Sequence, residues 1–279
     1  MVIKNLKEYG FNTENRTYVI AEIGINHRGS VEVAKELIDS AVKAGVDAVK
    51  FQTYLTEQRI PKQNNELFKI LKDLELPFEA FKELKEYANQ YNVDFFSTPF
   101  DTESVEYLES IGTDLYKIAS FDVVNHKLLK DVAKTGKPVI LSVGMSNLHE
   151  IKEAYKILST GTKNLAILHC ISSYPTDEKD ARLSNIYSLQ KEFDCLIGQS
   201  DHTNEIFVPL CAVAAGAQII EKHYKVDDDF DCIDAPVSIT ENQMKKLVEE
   251  TRRIEKIFGD EEFGVRKVEE GTQIFRRKG

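Results

Sequence analysis

Two hydrophobic rhythms alternate along the chain. Short apolar runs rich in Val, Ile, Phe and Tyr occupy 18–24, 48–54, 94–99, 115–120, 138–144, 165–172, 196–202 and 218–224. Between and after them, apolar residues recur three or four positions apart at 31–45, 78–91, 102–112, 126–136, 148–158, 181–193, 206–216 and 241–258. The first rhythm predicts strands and the second helices, because side chains alternate sides along a strand but share a face at each helical turn. Several helical stretches close on glycine (Gly45, Gly112, Gly136 and Gly216), a residue that ends a helix in the left-handed conformation without a steric penalty. Eight strand–helix repeats predict a parallel sheet with helices outside, and eight is the number that closes a barrel. The expected fold is α/β, a (β/α)8 TIM barrel, with an open doubly wound sheet as the alternative.

The barrel pattern fills 18–258. Residues 1–17 read as an N-terminal extension, an extra strand or a plug under the barrel, and 259–279 as a polar tail or linker stub. A chain of 279 residues with 42% hydrophobic content can bury one large core. Its net charge is −10 and no long basic run interrupts it, which argues against a nucleic-acid partner. An acidic protein must therefore hold any anionic substrate with cations local to a pocket. No stretch has the apolar length of a signal peptide or a membrane span, so no membrane role and a cytoplasmic location are expected. Four cysteines without CxxC spacing read as reduced thiols, with Cys170, Cys195 and Cys211 in apolar segments and Cys232 in a polar loop.

The C-terminal ends of the strands, where a barrel of this kind carries its site, are unusually polar: AEIGINH, KFQTY, FFSTPFD, YKIAS, LSVGMS, HCISSYP, QSDHT and EKHY. Lys50 and Lys117 lie within strands, and Lys50 shares its parity with Ala48 and Gln52. An ammonium facing the barrel needs a partner. Internal salt bridges to Glu22 or Glu221 would supply one; a bound anion is the favoured reading. With Ser120, Ser142 and Ser172 at neighbouring strand ends, the two lysines suit a phosphate and a carboxylate together.

His202 and His223 end the last two strands, so their imidazoles can converge on one divalent ion. Two histidines with oxygen ligands beyond suit a labile Mn²⁺ or Mg²⁺ better than structural zinc. His169 and Cys170 are adjacent on a strand and point to opposite faces, which rules them out as a direct nucleophile–base pair. His27 either holds the first loop or touches substrate, while His126 and His149 fall at surface helix starts. Glu22 sits amid apolar residues, where a carboxylate is expensive without a role. Asp234 lies in VDDDFDCIDAPVS and reads as part of a solvated acidic loop.

Taken in order, AEIGINHRG, DAVKFQTY, FFSTPFD, YKIAS, HCISSYP, GQSDHT and EKHY resemble the sialic acid synthase family, the bacterial N-acetylneuraminate, legionaminate and pseudaminate synthases. That family is a TIM barrel that joins phosphoenolpyruvate to an N-acetylmannosamine-type amino-sugar aldehyde, releasing phosphate through C–O cleavage and usually using Mn²⁺. The resemblance implies phosphoenolpyruvate contacts at Lys50, Lys117, Ser120, Ser142 and Ser172. It implies metal ligation by His202 and His223, and places Glu22, Gln52, Tyr174 and Asp234 at the sugar. A homodimer is a further expectation.

Three features depart from the family's pattern. Its members usually continue into a small antifreeze-like domain that reaches the partner subunit's site with a sugar-binding arginine, whereas this chain stops at FRRKG. That domain is then encoded separately, has been removed, or is dispensed with. The family's PDH is replaced by Ile233, Asp234 and Ala235, and the loop after the second strand, LTEQRIPKQNNELF, is short. The expected chemistry is a metal-dependent condensation with His202, His223 and Glu22 at the reacting centre, Glu22 handling protons. Rival readings are a 3-deoxy-sugar-acid phosphate synthase, a class I aldolase with Lys50 or Lys117 as Schiff base, and a ligand-binding barrel without turnover.

Overall fold

Eight parallel strands close into a barrel in chain order, as the alternation predicts. They are β1 Tyr18–Gly24, β2 Ala48–Thr53, β3 Asp94–Pro99, β4 Tyr116–Ile118, β5 Val139–Ser142, β6 Leu165–Cys170, β7 Leu196–Asp201 and β8 Ile219–His223. The computed structural model describes residues 6–11, 16–259 and 262–277. Closure is made by β8 pairing back on β1, with Glu22 beside His223. The doubly wound alternative is thereby excluded.

The helices are α1 Val31–Ala44, α2 Thr56–Arg59, α3 Asn65–Leu74, α4 Phe78–Asn89, α5 Thr102–Ser110, α6 His126–Ala133, α7 Leu148–Leu158, α8 Ser184–Glu192, α9 Phe207–Ala214 and α10 Glu241–Phe258. Their ends are set locally. The Ser30 hydroxyl caps α1 by accepting from the Val33 amide, and Gly45 closes it at φ 82°. Thr240 and Gln243 form a reciprocal capping box on α10.

The segment after β2 differs from the plain loop expected of it, because it folds into α2 and α3. Leu71 is the one buried residue of α3, so a segment that is mostly exposed reads in the sequence as loop. Strands β4, β5 and β6 are shorter than their apolar runs. Ser120 leaves the ladder to open the 3-10 turn Ser120–Asp122, and the polar residues after Ser142 and Cys170 become loops over the barrel.

Side-chain alternation sorts the core into two shells. Outward residues such as Val19, Ile23, Val49 and Phe51 pack against helix residues such as Leu37, Ile38 and Leu84. Inward residues form a separate apolar floor that includes Tyr18, Ile20, Phe96, Ile140, Leu168, Leu196 and Ile219. Leu6 and Phe11, from before β1, join that floor from below, and the Phe11 ring meets Tyr18 edge-on at 5.0 Å. The remainder of the expected extension, 1–5 and 12–15, lies outside the described residues. Of the expected tail, 260–261 and 278–279 also lie outside them, and Lys267–Phe275 forms a 3-10 helix. Among the described residues, no helix is long and apolar enough to cross a membrane.

Candidate active site

One residue pair above the floor, the inward positions change character. Ile20 is followed inward by Glu22, Ala48 by Lys50, Phe96 by Thr98, Leu115 by Lys117, Ile140 by Ser142 and Ile219 by Glu221. Each strand steps roughly 6.6 Å in those two residues, so the polar groups form one layer at the C-terminal mouth. They line a cavity of about 220 Å³. Of the predicted site residues, Glu22, Lys50, Gln52, Lys117, Ser120, Ser142, Tyr174, His202, His223 and Asp234 line it together.

Ser172 does not line the cavity. Its hydroxyl is next to the lining residues Ser120 and Cys170, because a Cβ on Gly144 would sit 2.4 Å from Ser172 Oγ, 3.0 Å from Ser120 Oγ and 3.2 Å from Cys170 Sγ. A side chain at 144 would push both hydroxyls aside. The Gly144 amide donates to Ser120 Oγ at 2.9 Å, which fixes that hydroxyl at the wall.

The internal ion pairs that sequence reasoning kept as the alternative partners of the lysines are present. Lys50 Nζ lies 2.8 Å from Glu22 and 3.6 Å from Glu221, and Lys117 Nζ lies 3.5 Å from Glu221. Thr98, which sequence reasoning passed over, accepts from Lys50 Nζ at 3.1 Å. Burial alone would raise the Glu221 carboxyl, but Lys117, Lys50 and the Ser200 hydroxyl reverse this and bring it down to about 2. Burial dominates at Glu22, whose pKa is raised despite Lys50. Burial also lowers Lys117, against the pull of Glu221. Lys50 is raised, because two carboxylates outweigh its burial. The layer thus holds one firmly ionised acid between two ammonium groups, and a second acid that burial pushes toward neutrality. Ser142 Oγ and Gln52 Oε1 are buried with no hydrogen-bond partner.

A third strand lysine shows what parity decides. Lys222, fully buried, has the opposite parity to Glu221 and His223 and is not among the cavity residues. It pairs with Asp201 at 2.7 Å, and Asp201 also accepts from the Thr203 hydroxyl at 2.7 Å. This network braces the β7 end that carries His202.

His202 and His223 face each other with ring centroids 5.3 Å apart. His202 Nδ1 is 2.8 Å from the Ile171 carbonyl, so Nδ1 carries the proton and Nε2 keeps its lone pair. Burial, then the neighbouring His223, lowers its pKa to about 4, leaving a neutral imidazole. His223 Nδ1 stands 3.3 Å from Asp234 Oδ2 without hydrogen-bond alignment. Burial would lower His223, but Asp234 and Glu22 raise it above its ordinary value. The Asp234 loop is tied to β1 by Asn26. Its side chain donates to the Tyr224 carbonyl and Ser238 Oγ, each at 3.0 Å, and accepts from the Asp234 amide at 3.1 Å. Asp234 is therefore an anchored, part-buried carboxylate and not a member of a solvated acidic loop. Tyr174 packs its ring 4.1 Å from that of His202.

Among the described residues, no three His, Cys, Asp or Glu side chains converge as a closed metal cage. The donor chemistry nevertheless fits an open cation site. A neutral imidazole oriented by a backbone carbonyl, beside a second held against a carboxylate through Nδ1, is a two-ligand arrangement that leaves room for water and substrate.

Other candidates resolve structurally. His27 Nδ1 accepts from the Gly29 amide at 3.1 Å and its ring stacks on Phe51, so it holds the first loop. His169 binds the Ala181 carbonyl at 2.7 Å. Cys170 instead meets His202, with Sγ 3.7 Å from Nδ1, and burial raises its pKa, so it stays a thiol. Arg59, from α2, also reaches the cavity; no rhythm or motif marks it in the sequence.

The fold and this charged mouth define a (β/α)8-barrel enzyme. The chain belongs to the NeuB family, whose model matches residues 37–263. It is 45% identical over 247 residues to an uncharacterised protein of Methanocaldococcus jannaschii, covering 88% of this chain and 73% of that one. It is 38% identical over 274 residues to the N,N'-diacetyllegionaminic acid synthase of Campylobacter jejuni, covering 92% and 81%. The crystal structure of a sialic acid synthetase from Leptospira borgpetersenii, in complex with citrate, superposes with TM-score 0.91 at 40% identity, covering 94% and 92%.

Proposed function

We propose that the chain condenses phosphoenolpyruvate with an N-acetylmannosamine-type amino-sugar aldehyde, yielding a sialic-acid-like nonulosonic acid and phosphate. The observation that carries this reading is one cavity that joins two buried lysines and the unpartnered Ser142 hydroxyl to a pair of imidazoles. Membership of a family whose relatives include N,N'-diacetyllegionaminic acid synthases supports it.

In this proposal Lys50, Lys117, Ser120 and Ser142 hold the phosphate and carboxylate, with the Ser172 hydroxyl beside Ser120 as a further donor to the same anion. Glu22 and Glu221 keep the lysines protonated before substrate arrives. The two lysines flanking Glu221 draw an incoming anion, and Glu22, raised by burial, opposes it less than a free carboxylate would. C3 of phosphoenolpyruvate bonds to the aldehyde carbon, whose oxygen becomes a hydroxyl. Water adds its oxygen to C2, and the tetrahedral intermediate loses phosphate by C–O cleavage, leaving the C2 ketone. Holding both reactants in one cavity removes much of the entropic barrier. Glu22, beside Gln52 at 3.4 Å, is placed to pass the proton from water to the new hydroxyl.

His202 and His223 would hold a divalent cation, Mn²⁺ in the first instance, whose chemistry is Lewis-acid polarisation of the aldehyde. Asp234 then orients His223, and Tyr174 covers the pair. The test is phosphate release from phosphoenolpyruvate across a panel of amino-sugar aldehydes, with Mn²⁺ added and with chelator. Release that requires both sugar and metal is expected. Release that is unaffected by chelator removes the metal from the proposal, and release only with phosphorylated aldoses favours a 3-deoxy-sugar-acid phosphate synthase.

A further inference from the structure

The wall of the cavity above β2 and β3 is not used by the chemistry proposed above. Arg59, the last residue of α2, enters it there. Its guanidinium carbon lies 3.8 Å from the centre of the Phe100 ring and 4.5 Å from that of Tyr54, so two aromatic faces hold the side chain in place. Nη1 is nevertheless buried with no hydrogen-bond partner. Among the described residues, no carboxylate makes an ion pair with Arg59, and burial lowers its pKa. A desolvated, prepositioned donor without an acceptor is costly to the empty protein. A ligand oxygen would satisfy it.

Charge decides which kind of oxygen. Glu22, Asp122 and Asp234 all act electrostatically on Arg59. These acids weaken the pull of the guanidinium on a phosphate dianion, whereas the lysine layer below has its own hydroxyls and cations for one. An uncharged carbonyl meets no such opposition. Ile25, Phe100 and Phe121 present apolar surface to the same cavity, which suits the alkyl part of an acyl group.

Resting on the synthase reading above, the geometry points to Arg59 as a specificity-determining residue that donates a hydrogen bond to the amide carbonyl of an unphosphorylated acylamino sugar. The acyl carbon lies against the apolar wall. The stacked planar guanidinium fixes the direction of the bond, which a lysine at this position would not do.

The test uses N-acetylmannosamine, mannose and N-acetylmannosamine 6-phosphate as probes, with phosphate release and calorimetric binding measured on the wild-type and Arg59→Met proteins. Arg59→Met is expected to raise the KM for N-acetylmannosamine roughly 10- to 100-fold. The KM for phosphoenolpyruvate and the response to mannose stay unchanged, the 6-phosphate is the poorer substrate of the wild type, and Arg59→Lys recovers only part of the loss. Equal losses on both sugars, a change confined to phosphoenolpyruvate, or preference for the 6-phosphate overturns the assignment.

If the wild type releases no phosphate with any sugar, the synthase reading fails and binding alone judges Arg59. Weaker binding of N-acetylmannosamine, but not of mannose, by the variant then sustains it. Equal binding by both proteins, or none by the wild type, overturns it. Should Arg59→Met not fold, Arg59→Lys carries the same comparison.

Discussion

The floor and the mouth of the barrel are made by the same strands, two residues apart, and they follow opposite rules. At the floor every inward side chain is apolar, from Tyr18 and Phe96 to Leu168 and Ile219. Only the Tyr18 hydroxyl needs a partner, and it donates to Asp94 at 2.6 Å; for the other floor side chains packing alone rewards burial. At the mouth, Glu22, Lys50, Lys117 and Glu221 are buried nearly as deeply and survive only by pairing with one another. Such pairs add little net stability once desolvation is counted. The floor keeps the cylinder closed; the mouth is retained for what it binds.

The sharpest way to break this contrast is to remove both imidazoles. Changing His202 and His223 to alanine is expected to reduce metal-dependent phosphate release by roughly 10³-fold, the several kcal/mol that Lewis-acid polarisation supplies. The floor is untouched, so the melting temperature measured by calorimetry should stay close to that of the wild type. Full activity in the double variant would sink the proposed role of the pair.

Stability separates the two layers next. Glu221→Gln leaves two ammonium groups without their firmly ionised partner and is expected to cost about 3–5 kcal/mol in urea unfolding. Leu168→Ala in the floor should cost about 2–5 kcal/mol by opening a cavity, but only the first change should alter the pH profile. The folded Glu221 carboxyl is depressed to about 2 from an ordinary 4.5, so its contribution is full above the ordinary value and is lost as pH falls toward the folded one. Stability of the wild type should therefore fall steeply between those values, and that of the variant less so. Identical profiles would mean that Glu221 does not govern the pair.

The smallest effect belongs to a single hydroxyl. Ser142 Oγ is buried without a partner, so Ser142→Ala removes no hydrogen bond from the empty protein. It should raise the KM for phosphoenolpyruvate by roughly 10-fold with unchanged unfolding. A loss of stability instead would make Ser142 part of the floor's packing.

Much of the mouth was legible because strand parity is a local property. Lys50 points inward with Ala48 and Gln52, and the structure places it there, while Lys222 sits out of phase with His223 and pairs with Asp201 outside the cavity. Ser172 shows the limit. It shares parity with Cys170, but β6 ends at Cys170, and Ser172 stands next to the lining residues Ser120 and Cys170 and not among them. Asp234 was hidden in a run of aspartates, and what distinguishes it is Asn26, reaching from the first loop to its amide, together with His223 facing its carboxylate. Arg59 had no signal at all, since a guanidinium in a polar segment looks like any solvated charge.

The amino-acid sequence by itself determined the eight-fold alternation and the change from apolar to polar inward positions along each strand, while the β8–β1 pairing decided that the sheet closes. The alternation and the change depend on periodicities of two and of nearly four residues, which neighbours in the chain impose on one another. Only the tertiary structure decided that Glu221 stands between two lysines, that Asn26 anchors Asp234, and that Arg59 meets Phe100 and Tyr54. Those contacts join loops and strands distant in sequence, and their energies come from burial and field, neither of which exists until the barrel closes.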